Sequence, residues 1–571
     1  MNLEELLLTV RKPGRYVGGE WNAAKKEWTN DLVKVVLAFP DVYEVGMSYL
    51  GMKILYGVLN GRDDCLCERA FSPWPDFEEA LRKNNMKAFS LESRRPLNEF
   101  DIVGFSLAYE LDFTNVLNLL DLGGIPVRSS ERGDGGPLVI AGGPSCYNPE
   151  PMAEFIDLFL IGDGEEAVLE IVEVYKSFRG QGTGDRGQGR KKLLKELAEI
   201  KGVYVPSLYK VEYNGDKTIK SFSPVGPGVP AVIEKRTVSD LDAAFYPMRQ
   251  IVPNIQIVHD RLAIEIMRGC RHACRFCQAA AVYRPCRERS KEKILELARE
   301  AYAMTGFDEI SLLSLSSGDH SRIRETIEAL NEEFGRKAVS ISVPSLRIED
   351  VLKDLPVLIS KVKKSGLTFA PEAGSETLRK ALNKNIDIGK LFEATSESFK
   401  SGWRRVKLYF MIGLPSEKDG DLLDIARLAA EISDLKRKLD GRPAAVTASV
   451  NAFVPKPHTP FQREAMDPSE SLERKKGLLK KSSKPRAVEL DFHSFEASYL
   501  EAVFSRGDRR LAAVIYEAWK SGSRFDGWQE IFNFGAWMKA FEKAAVDPAF
   551  YANRRRYPSE VLPWDFIHTC S

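Results

Sequence analysis

Leu262-Ala-Ile-Glu-Ile-Met267, followed at once by Arg268-Gly-Cys-Arg-His-Ala-Cys-Arg-Phe-Cys-Gln278, decides how this chain is read. The first six residues form a short apolar run that predicts a buried strand. The segment after it gathers Cys270, Cys274 and Cys277 on one loop. Three soft thiolates so placed suit an iron–sulfur cluster or zinc. A closed structural zinc site needs a fourth ligand, and His272 lies inside the loop at no usual finger spacing. Three thiolates on a four-iron cluster leave one iron open, and an open coordination position means chemistry.

Outward from that loop, residues 257–490 alternate strand-like and helical runs. Leu262–Met267, Glu309–Leu313, Ala338–Val343, Leu367–Ala370, Val406–Met411 and Val446–Asn451 read as strands, with Lys291–Met304, Ser321–Phe334 and Ser375–Leu382 among the helices between them. Such βα units predict a partial (β/α)6 version of the TIM barrel, with function at the carboxyl-terminal rim, where the cysteines fall.

Residues 31–178 alternate as well. Val33–Phe39, Asp101–Ser106, Leu138–Gly143 and Asp157–Gly162 are short apolar runs flanked by Gly, Pro or Asp, the pattern of buried parallel strands in a doubly wound, Rossmann-like domain. Ligands of that fold sit at the carboxyl ends of the strands. Pro40, Tyr43, Gly46, Ser106, Tyr109, Gly142, Gly143, Gly162, Gly164 and Glu165 stand there. Glycine at such ends serves a tight turn or a close backbone approach to a ligand.

The remaining segments are a 1–30 extension, a glycine-rich tract at 179–190 read as a flexible loop, a connector at 191–256 and a helical, aromatic segment at 491–571. Lys+Arg 82 against Asp+Glu 81 gives no global field that attracts nucleic acid or an anionic membrane. No apolar run reaches spanning length, so no membrane partner is expected. Eight cysteines in 571 residues are not a disulfide framework, which places the protein in the reducing cytoplasm.

The cysteine loop, with Phe276 before the third cysteine, resembles the signature of radical S-adenosylmethionine (SAM) enzymes. The resemblance implies a [4Fe–4S] cluster on Cys270, Cys274 and Cys277 and reductive cleavage of SAM to a 5′-deoxyadenosyl radical. It also implies an external one-electron reductant of the flavodoxin or ferredoxin class. Phe276 would pack near SAM. Ser316, Ser317, Gly318 and Asp319 stand where relatives hold the SAM amino group; Ser345 and Arg347 sit at the next rim loop. Glu372 matches the carboxylate that takes the ribose or ammonium group, and Gly413 the segment beside adenine. His458 ends the last loop, a candidate for facing substrate.

The preceding α/β domain, with Arg15-Tyr-Val-Gly-Gly-Glu-Trp-Asn22, Ala38-Phe-Pro-Asp-Val-Tyr-Glu-Val-Gly-Met47 and Leu562-Pro-Trp-Asp565, makes nearly the whole chain similar to a bacterial family of cobalamin-binding-type radical SAM enzymes. Cobalamin and methylation of an unactivated carbon are thereby implied; the substrate is left open by the sequence, RNA or a ribosomal protein being candidates. The chain has no histidine before His259, and Tyr43 stands where many cobalamin proteins put the cobalt-ligating His. Two rival readings remain. One is a methylthiotransferase-like modifier with a second cluster on Cys65, Cys67 and Cys146; the other is a non-catalytic SAM- or corrinoid-binding sensor or assembly factor.

Overall fold

The computed structural model describes residues 2–180, 189–345, 367–482 and 487–569; Arg347 and most of the glycine-rich tract lie outside them. The N-terminal sheet holds β1 (Val33–Phe39), β2 (Cys65–Phe71), β3 (Ile102–Ser106), β4 (Leu138–Gly142), β5 (Leu158–Leu160) and β6 (Val203–Tyr204), in the order β2-β1-β3-β4-β5-β6. All pair in parallel except the short β6. Every residue of β1 is buried, as helices on both faces require. The order reverses between β1 and β3, which makes their carboxyl ends the switch-point crevice of this fold. Two strands go beyond the sequence reading. Cys65-Leu-Cys-Glu-Arg-Ala-Phe71 carries charges that hide its strand character, and β6 comes from the expected connector.

The described residues of the barrel region show all six expected strands and, beyond them, an edge strand and a short antiparallel pair, Met267–Arg268 with Arg287–Glu288. β7 (Leu262–Glu265), β8 (Glu309–Leu313) and β9 (Ser340–Ser342) form one parallel sheet. β10 (Leu367–Glu372), β11 (Arg405–Ile412), β12 (Ala445–Ala452) and β13 (Val488–Phe492) form another. The extra strand β13 alternates apolar and acidic residues and lies half-exposed at the sheet edge, so it lacks the apolar run that marks its neighbours. The cores follow the same division. Ile264, Ile310, Ile327 and Ile341 belong to a separate cluster, whereas Leu408 and Val450 share the large core of the N-terminal domain.

The C-terminal segment is helical as expected, with Phe495–Ser505, Leu511–Lys520 and Phe534–Lys543. It caps the N-terminal domain: Phe504 packs 6.0 Å from Phe113 between ring centres, and the Trp528 indole donates to Asp41 at 2.9 Å. Ile567–His568 then pairs in parallel with Ile233–Glu234, tying the chain end to the connector. Among the described residues no helix is long and apolar enough to cross a membrane.

Candidate functional site

The cysteine loop is pinned from two sides. Arg275 donates its backbone N–H to Leu382 O at 2.9 Å, and the Asn383 amide donates to Ala273 O at 2.9 Å. Phe276 packs on the cluster of Ala373, Leu378, Leu382, Leu414 and Phe453. On the other side His272 Nε2 lies 2.7 Å from Asp319 Oδ2, so both residues are engaged with each other. All three cysteines are partly exposed and none is in a disulfide. Burial pushes the Cys277 thiol up, while the backbone N–H groups of Ala279 and Ala280 and the Lys384 ammonium pull it down. Those donors favour a thiolate, the form that binds iron.

The donor set fits a cluster with one open iron. Cys270 is close enough to Cys277 for the two thiols to influence each other electrostatically. No group of three His, Cys, Asp or Glu side chains is drawn together at metal-binding distance among the described residues. The three thiols of the loop are not drawn together at that distance either, so the fit rests on donor chemistry, three soft sulfur ligands on one loop.

Beside it, Glu372 ends β10 in a left-handed backbone (φ 68°), after a break in register from Phe369. A non-glycine residue held there is strained, and such strain clusters at functional positions. Burial raises its carboxyl pKa against the opposing pull of Lys384, whose Nζ lies 3.4 Å away. Lys384 therefore serves both Glu372 and Cys277. It was not legible in the sequence, where nothing in Asn383-Lys-Asn385 sets it apart.

Glu372 opens onto a cavity of about 440 Å³ that Tyr409 and Asn451 of the barrel, Tyr109 of the N-terminal domain and Ser498 and Glu501 of the C-terminal helix also line. Lys456 closes one wall, 2.8 Å from Glu110 and 2.9 Å from Glu501, while the Tyr109 hydroxyl donates to Glu501 at 3.1 Å.

The remaining rim residues are accounted for locally. Ser317 Oγ donates to Pro344 O at 2.8 Å, and its N–H to Ser345 O at 3.1 Å. Ser316 Oγ is buried without a partner, while Gly318 lies in the turn between Ser317 and Asp319. The Gly413 N–H donates to Glu417 at 2.8 Å.

A second cavity, of about 410 Å³, lies between the two domains. One wall is the carboxyl edge of the N-terminal sheet: Ser106, Gly142, Gly143, Gly162, Gly164 and Glu165, joined by Tyr49. The other is Met267, Arg268 and Gly269, immediately before Cys270. Gly143 and Gly162 have φ near 114° and 113°, and a Cβ on either would strike the carbonyl oxygen of Leu107 or Arg236 at 2.6 and 2.1 Å. Backbone packing alone demands glycine at both. Glu165 is 2.6 Å from Arg268, and Asp163 is 2.6 Å from Arg287. The lining is mostly apolar and holds no imidazole.

Three expected ligand residues lie off this cavity. The Tyr43 hydroxyl donates to Glu20 at 3.0 Å, Pro40 O accepts from Asn115 at 2.7 Å, and Gly46 lies against Phe39 and Phe71. The chain after β1 meets this cavity further on, at Ser48 and Tyr49. Tyr109 lines the other cavity. His458 does not face a ligand space either: its ring nitrogen Nε2 donates to Tyr147 O at 2.9 Å, and burial lowers its pKa to about 4.

Comparison with known proteins follows these two domains. Residues 51–206 match the model for the N-terminal part of radical SAM proteins, and residues 264–429 match the radical SAM superfamily. An uncharacterized protein of Methanocaldococcus jannaschii is 27% identical over 482 residues, covering 84% of this chain and 90% of that protein. The anaerobic magnesium-protoporphyrin IX monomethyl ester cyclase of Cereibacter sphaeroides is 22% identical over 410 residues, 70% of this chain and 58% of its own. Among solved structures, the radical SAM methyltransferase TsrM of Kitasatospora setae, with cobalamin and a [4Fe–4S] cluster bound, aligns with a TM-score of 0.47 and 12% identity over 75% of this chain and 74% of that one. Residues 264–429 thus carry a domain of the radical SAM superfamily, and residues 51–206 the N-terminal part found in radical SAM proteins.

Proposed function

We propose that the chain is a corrinoid-using radical SAM methylase acting on an unactivated carbon. The observation that carries this reading is the cavity of about 410 Å³ walled by the Rossmann-like sheet edge on one side and by the start of the cysteine loop on the other. A [4Fe–4S] cluster supplies the electron that cleaves SAM to methionine and a 5′-deoxyadenosyl radical, and a corrinoid supplies a methyl carrier.

This chain's own residues hold and orient. Cys270, Cys274 and Cys277 would carry the cluster. Lys384 neutralises charge between Cys277 and Glu372, and Glu372 accepts hydrogen bonds from SAM. Phe276 and its apolar neighbours exclude water from the loop. The electron comes from a flavodoxin- or ferredoxin-class carrier.

The methylthiotransferase-like reading needs a second thiol triad. Cys65 and Cys67 are buried within β2, and Cys146 is buried in a different segment.

The test is methyl-deuterated SAM supplied to reconstituted enzyme with RNA and ribosomal proteins from cells lacking this gene. A labelled methyl group on carbon, formed only with corrinoid added, supports the proposal. A labelled methylthio group, or no transfer to either pool, counts against it.

A further inference from the structure

Tyr49 precedes the helix Leu50–Asn60 and lines the cavity between the domains. Its ring is 5.5 Å from that of Phe39 and lies on Gly51, where a Cβ would come within 2.9 Å of it. That packing fixes the ring at the wall of the cavity. No hydrogen bond is made to this hydroxyl among the described residues. Burial raises its pKa, as it does for Tyr283 on the opposite, barrel-side wall, whose hydroxyl is likewise without a hydrogen-bond partner.

The Tyr49 phenol is thereby left to a group in the cavity, and Tyr43 shows the contrast, since its hydroxyl is satisfied by Glu20. Arg268 is saturated by Glu265, Asp163 and Glu165.

We infer that Tyr49 is the residue of the N-terminal domain that hydrogen-bonds the ligand held between the domains, a corrinoid with amide side groups, in place of the absent histidine. The inference rests on the corrinoid reading above. A neutral phenol gives a hydrogen bond and no strong nitrogen donor, so Tyr49 positions the ligand without ligating its metal.

The experiment compares wild type, Tyr49→Phe and Tyr43→Phe after anaerobic reconstitution with hydroxocobalamin and desalting. Phe keeps the ring on Phe39 and Gly51, so the fold is retained and is checked by thermal melting. The wild type is expected to retain corrinoid, Tyr49→Phe to bind it roughly ten-fold more weakly with a shifted absorption spectrum, and Tyr43→Phe to match wild type. If the wild type retains corrinoid and Tyr49→Phe is indistinguishable from it, Tyr49 is not the contact. A wild type that retains none overturns the corrinoid reading, and this inference with it.

Discussion

Arg268 and Glu165 meet at 2.6 Å, and this buried pair joins the last loop of the Rossmann-like sheet to the residue two positions before Cys270. Asp163 at 3.1 Å and Glu265 at 2.9 Å complete the set around one guanidinium. The cluster loop and the ligand edge of the other domain are therefore positioned by a common cation.

Removing that cation leaves Glu165 and Glu265 without their cation, while Asp163 keeps Arg287. Arg268→Ala is expected to lower unfolding free energy by about 3–5 kcal/mol. Glu165→Ala, which leaves Arg268 two partners, should cost less, about 1–2 kcal/mol. Urea unfolding of both variants tests the order; equal losses would show that the network is not shared in this way.

His458 provides a pH signature. Its pKa in the folded protein, about 4, lies below the ordinary 6.5, because burial keeps the ring neutral. The unfolded chain takes up a proton between those values while the folded chain refuses it, so stability is full above pH 6.5 and falls as pH drops toward 4. The loss is at most about 3 kcal/mol. Subtracting the stability–pH curve of His458→Gln from that of the wild type should isolate this slope; a flat difference would contradict it.

Asp526 titrates with the opposite sign. Burial raises its carboxyl to about 6 from 3.8, although Trp537 and Thr114 both donate to it at 2.8 Å. Folding favours the protonated form, so stability is lost as pH rises from about 4 through 6. Asp526→Asn should gain up to about 3 kcal/mol at pH 8 and little at pH 4. Calorimetric melting at both values checks it; an equal effect at the two would dismiss the titration.

Glu372→Gln tests the SAM contact apart from the cluster. Iron content should stay at the wild-type level while SAM affinity falls roughly ten-fold, the worth of a charged hydrogen bond. Iron lost together with affinity would instead make Glu372 a support of the loop.

The sequence showed most of this site because its signals are local. Cysteine spacing survives any packing, and apolar runs such as Leu138–Gly142 name their strands directly. Position within a crevice is not local. Tyr43 and Tyr49 look alike in the chain, and only the fold sets one on Glu20 and the other at the wall of the cavity. β2 and β13 escaped for a different reason, since charged residues interrupt the apolar pattern that marks a strand. Lys384 and the Arg268 network depend on contacts between distant segments, which no spacing announces.

The central claim, SAM cleavage at a cluster held by Cys270, Cys274 and Cys277, is most directly tested by dithionite-dependent formation of 5′-deoxyadenosine by anaerobically reconstituted protein. Wild type should form it and Cys274→Ala should fall to the no-enzyme background. Equal formation by the two, or none by the wild type, would contradict the account.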